Sequence, residues 1–151
     1  MTMRLLLAAL ALVLVAPFAH AQSVGQSPTY GSVSLRAGFT PDPHTSSITA
    51  GGSTAVEISG CNGTVADAPD LNLTWSGGPS TLYIYSVSGE DTTLLVNLPN
   101  GSWTCDDDTL GERNPLIIVR NAPSGLYNIW SGTYGGGTAA ADVMISEIDP
   151  R

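Results

Sequence analysis

The chain has 151 residues, with 13 acidic side chains against five arginines, no lysine, and a formal net charge of −8. That balance excludes nucleic acid and anionic lipid as partners, because affinity for phosphate comes mostly from cations that neutralise it. Met1 to Ala21 reads as a secretory signal. Arg4 supplies the positive end, Leu5 to Val15 the apolar run, and Ala19-His20-Ala21 a small-x-small cleavage site. The apolar run is about half of what a bilayer-spanning helix needs, so no membrane span is expected. The expectation is a secreted or periplasmic protein, cleaved near Ala21, with four arginines facing all 13 acids and a net charge of −9.

The remainder is the size of one domain. Residues 22–30 read as a flexible polar lead-in and 31–149 as the folded unit. Short β-type runs then alternate with breakers such as Gly77-Gly78-Pro79, Pro99-Asn100-Gly101 and Gly135-Gly136-Gly137. The predicted strands are 32–36, 53–59, 71–75, 81–87, 92–97, 102–105, 116–120, 126–133 and 139–148. With no helical period of useful length, eight or nine strands at this spacing predict an all-β, antiparallel β-sandwich. Alternation places Leu71, Leu73 and Trp75 in the core, with Tyr127 and Ile129, and Val143 and Ile145. The run Leu116 to Val119 is apolar on both sides, as in a central strand.

Cys61 and Cys105 are the only cysteines, and export predicts one disulfide between them. Cys105 also belongs to the most informative stretch, Glu90 to Asp108. Leu98-Pro99-Asn100-Gly101 fits a type I turn, which pairs Asn97 with Ser102, Val96 with Trp103, Leu94 with Cys105, and Asp91 with Asp108. Leu94, Val96, Trp103 and Cys105 then share the core face. Asp91, Asp106 and Asp108 gather opposite, where facing carboxylates repel unless neutralised. Calcium, with oxygen ligands from Asp91, Asp106, Asp108 and the amide of Asn97, is the expected counter-ion. Asn100 could add a carbonyl oxygen. A solvated acidic rim that discourages edge pairing is the alternative.

The run Asp91-Thr92-Thr93-Leu94-Leu95-Val96, Pro99-Asn100-Gly101-Ser102-Trp103, Asp106-Asp107-Asp108 and Gly125-Leu126-Tyr127-Asn128-Ile129-Trp130 resembles the bacterial pre-peptidase C-terminal domain family. The resemblance covers about 82–148. It implies a bacterial host and a jelly-roll-like sandwich, often calcium-associated, that serves secreted peptidases without catalysis; this chain would be a stand-alone member.

His44 is the one histidine beyond the signal, within the proline-pinned turn Thr40-Pro41-Asp42-Pro43-His44. No Gly-x-Ser-x-Gly elbow marks a nucleophile, and one histidine with two bonded cysteines does not make a zinc site. No catalytic residue is assigned. Tyr83 and Tyr85 share one strand face, and Trp130 lies opposite Tyr127 and Ile129; together they are a candidate aromatic platform. Asn62-Gly63-Thr64, Asn72-Leu73-Thr74 and Asn100-Gly101-Ser102 match glycosylation sequons but read as turn and strand residues in a bacterium. The sequence thus predicts a non-catalytic module that recognises a protein or polysaccharide outside the cytoplasm. The alternatives are a secreted hydrolase, or an inhibitor or chaperone of a separate peptidase.

Overall fold

The computed structural model describes residues 22–151; the signal reading of residues 1–21 falls outside them. Eleven strands run in order: β1 (Ser32–Leu35), β2 (His44–Gly51), β3 (Thr54–Ala55), β4 (Thr64–Val65), β5 (Leu71–Trp75), β6 (Leu82–Ser88), β7 (Thr92–Asn97), β8 (Trp103–Asp106), β9 (Leu116–Val119), β10 (Gly125–Thr133) and β11 (Thr138–Ser146). They form two sheets. β2-β11-β6-β9 make the smaller one. The larger is built around β10, with β1-β5 and β4-β3 on one side and β7-β8 on the other. All strand pairs are antiparallel except β1 with β5, a parallel pair at the edge.

The inward positions are those that alternation selects. Leu71, Leu73, Trp75, Tyr127 and Ile129 meet Leu82, Ile84, Ile117, Val143 and Ile145 across the sandwich, all at most 4% exposed. Phe39 closes one end, its ring edge-on to Trp75 with centroids 6.3 Å apart. Ser86 and Ser131 join the two sheets through a 3.0 Å hydrogen bond between their hydroxyls, both fully buried.

Four expectations are corrected. β2 forms at His44–Gly51, where no strand is predicted, while the strand predicted at 53–59 contracts to Thr54–Ala55. β9 is an edge strand, not a central one. An apolar run reports that both faces are covered, and Leu116 and Ile117 are buried, but it carries no information on the hydrogen-bonding edge. The lead-in is held rather than free. Ser23 and Thr29 donate backbone N–H groups to Asp67 and Pro69 carbonyls, and Tyr30 N–H to Asp70.

The fourth correction decides the functional reading. The turn at Leu98–Gly101 closes as expected, Gly101 N–H bonding Leu98 C=O at 2.8 Å. Gly101 then adopts a left-handed conformation at φ 82°, the bulge that commonly follows a type I turn in a three-residue hairpin loop. That extra residue moves the register by one: Leu95 faces Cys105 and Asn97 faces Trp103. A one-residue shift sends every side chain of one strand to the other face. Leu94 and Val96 enter the main core, while Trp103 and Cys105 turn to the outside of the larger sheet. There they join a second apolar cluster of Val56, Cys61, Val65, Leu95 and Trp130. The disulfide Cys61–Cys105 spans 44 residues and ties the 56–65 segment over this cluster.

Candidate functional site

The shifted hairpin disperses the proposed calcium ligands. Asp106 uses both carboxylate oxygens within its own loop, accepting Thr109 N–H and Leu116 N–H on one and the Thr109 hydroxyl on the other. Asn97 donates its amide to the Gly101 and Ser102 carbonyls and so staples the turn. Asn100 accepts Ser102 N–H and hydroxyl in the same way. Asp91 stands apart at the β10–β11 turn, with Glu90, Gly135 and Gly136 around a cleft of about 270 Å³. The acids still feel one another. Burial first, then Asp108, Asp106 and Asp91, push the Asp107 carboxyl above its usual range. Among the described residues no group of three His, Cys, Asp or Glu side chains could hold a metal ion. Asp91, Asn97, Asp106 and Asp108 therefore do not fit calcium as one ligand set.

The aromatic platform also changes membership. Trp130 is fully buried, its ring 5.3 Å from that of Trp103, and its Nε1–H donates to the Asp67 carbonyl. It lies opposite Tyr127 and Ile129 as predicted, but that face is covered by the second apolar cluster. Tyr83 and Tyr85 sit on the other sheet, on its outer face. Pairing brings Met144 beside Tyr85, Tyr83 beside Ile118, and Asp142 beside Val87. Tyr85 is 7% exposed and Val87 39%, with Tyr83, Met144 and Ile118 half-buried. Thr45, Ser47 and Thr49 of edge strand β2 extend the band with exposed hydroxyls. Met144 and Ile118 are contributors that the sequence reading missed. Their alternation with core residues Val143 and Ile117 was visible, but not which strands adjoin.

His44 begins β2, with Ser46 Oγ 3.4 Å from its Nε2 two residues along the same strand. Asp42 Oδ2 accepts the Glu147 N–H rather than a proton of the imidazole.

Another residue the sequence reading missed is Asp70. β4 and β5 lie along the same side of β10, but seven residue steps separate Thr64 from Leu71 against four from Ile129 to Thr133. The surplus loops out and interrupts the ladder. Asp70 fills the gap, its carboxylate accepting the buried Ser131 N–H at 2.7 Å. At 2% exposure, burial pushes its pKa up to about 7, opposed only in part by that hydrogen bond. The same loop offers the carbonyls that hold the lead-in.

Against this geometry, no family model, no curated protein and no solved structure matches the chain.

Proposed function

We propose that this chain is a secreted, non-catalytic β-sandwich module that recognises an extracellular or envelope protein or polysaccharide through the outer face of β2-β11-β6-β9. The observation that carries the reading is the band Tyr83, Tyr85, Val87, Met144 and Ile118, bordered by the hydroxyls of β2. Aromatic and methionine side chains on a flat sheet supply contact area without a deep pocket, and a polar border supplies register. The role fits the accessory part that the resemblance to pre-peptidase C-terminal domains implies.

The test is retention of the purified protein on envelope fractions and insoluble polysaccharides, beside a Tyr83→Ala, Val87→Asp double variant. Both side chains are partly or largely solvent-facing, so the variant is expected to fold and to lose at least about tenfold in affinity, the usual scale for paired contact residues. Equal retention of the two proteins would remove this face from the account. Turnover of a peptide or glycan substrate that disappears in His44→Ala would replace the binding reading with a hydrolase.

A further inference from the structure

A cleft lies on the other sheet, where the C-terminal ends of β1 and β5 meet the loop 36–40. It measures about 500 Å³, within the range of small-ligand sites. Its lining includes the hydroxyl residues Ser34, Thr40, Thr74 and Ser76, with Leu35 and Phe39 as the apolar members. Arg36 is the one ionised side chain among its lining residues. The pairing Ser34 with Thr74 sets two of the hydroxyls side by side on the outer face. Ser34, Thr40 and Thr74 make no side-chain hydrogen bond among the described residues; only Ser76 is engaged, with the Leu35 carbonyl at 3.3 Å.

Arg36, like Arg113 and Arg120, makes no ion pair among the described residues; what sets it apart is its place in the cleft lining. Thirteen acids accompany five arginines in the sequence, and among the described residues no carboxylate lies within 4 Å of the Arg36 guanidinium. The ion pair formed among the described residues is Arg151–Asp149. Ser34, Arg36, Thr40 and Thr74 are all exposed, so their polar groups are open to a ligand that can take the place of water. A guanidinium presents a planar fork that matches a carboxylate through two parallel hydrogen bonds. Hydroxyls both donate and accept, as sugar hydroxyls do, and Leu35 and Phe39 add apolar lining for the carbons of a sugar ring.

We propose that this cleft binds the carboxylate of a sugar acid, with Arg36 holding the carboxylate and Ser34, Thr40 and Thr74 reading the ring hydroxyls. The charge limits the ligand. The single cation of the cleft engages one carboxylate at a time, and the acidic protein around it disfavours densely charged anions such as polyphosphates. Glu147, which accepts Gly38 N–H behind the loop, adds a further penalty for dense anions. The cleft is on the opposite sheet from the Tyr83 band, so the two readings fail separately.

The experiment is calorimetric and NMR titration of the purified protein with trigalacturonate, its methyl ester and citrate. Trigalacturonate is expected to bind, the ester at least about tenfold more weakly, and Arg36→Gln to lose about tenfold against trigalacturonate, the scale of one charge-assisted pair. Thr74→Val is expected to weaken the sugar acid while leaving the melting temperature unchanged, since Thr74 is exposed. Four outcomes would overturn the proposal: no binding of trigalacturonate up to roughly 10 mM, equal binding of the ester, unchanged binding by a folded Arg36→Gln protein, or citrate binding as tightly as trigalacturonate. The last would assign the cleft to free small acids and leave the hydroxyls without a part.

Discussion

Replacing Asp70 by asparagine should stabilise this protein at neutral pH and flatten its stability against pH. The side chain is 2% exposed, and its carboxylate meets the Ser131 N–H in the gap of the β10 ladder. Burial raises its pKa from 3.8 to about 7. In the unfolded chain the group ionises near 3.8, so between about pH 4 and 7 the folded state keeps a proton that the unfolded state has lost. The folded state binds more protons, and stability must fall as pH rises through that window. The contribution is fully present below about pH 4 and gone above about pH 7, and it amounts to about 4 kcal/mol. That is a large share of the roughly 5–15 kcal/mol that holds a domain together. Asparagine retains an acceptor oxygen for Ser131 and has nearly the same shape, but cannot ionise. The expected result is a small effect at about pH 4, a gain of roughly 1.5 kcal/mol at about pH 5, and a gain of up to about 4 kcal/mol at about pH 8. Urea unfolding of both proteins at half-unit intervals from pH 4 to 8.5 measures it. A difference between Asp70→Asn and the parent that stays constant across that range would refute the buried-acid argument.

Removing the disulfide by Cys61→Ser with Cys105→Ser should cost about 4 kcal/mol, the loop-closure entropy of a 44-residue span. Denaturant unfolding with and without reductant checks it, and the loss should coincide with solvent exposure of Trp103 and Trp130, read by fluorescence. Ser86→Ala or Ser131→Ala alone leaves one buried hydroxyl unpaired between the sheets, at a cost of about 1–3 kcal/mol each. The double substitution should recover part of that loss, so additivity of the two single effects in a thermal-melt cycle would contradict the pairing. Calcium at roughly 5 mM is expected to move the melting temperature by less than about 1 °C, because binding would first have to strip Asp106 of its three loop hydrogen bonds. A rise of several degrees that is lost in Asp91→Ala with Asp108→Ala would reinstate the acidic rim as a metal site.

What the sequence made legible follows from the range of the forces involved. The alternation in Leu71-Asn72-Leu73-Thr74-Trp75 is a two-residue pattern, readable in place, and it selects core residues that the fold indeed buries. β2 escaped because His44-Thr45-Ser46-Ser47-Ile48-Thr49 carries small polar side chains on an edge strand, where little burial is required and little pattern is written. The gap at Asp70 has no local signature. It arises from the mismatch between two stretches of chain paired along one strand, and only the pairing reveals it.

The hairpin shows how a small local omission propagates to the functional reading. Its turn was legible from Pro99 and Gly101, but the consequence of a left-handed Gly101 is one residue of register. Under the unshifted pairing the half-cystine belongs in the core and the aspartates form one cluster outside. With the shift, Cys105 and Trp103 cover the outside of the larger sheet, and Trp130 beneath them is lost as a binding surface. The outer face of the smaller sheet, with Tyr83, Val87, Met144 and Ile118, is then the broad apolar band left partly open to solvent. One sheet is covered by a disulfide-tied layer, while the outer face of the other leaves Val87 exposed and Tyr83, Met144 and Ile118 half-buried; the proposed recognition face rests on that asymmetry.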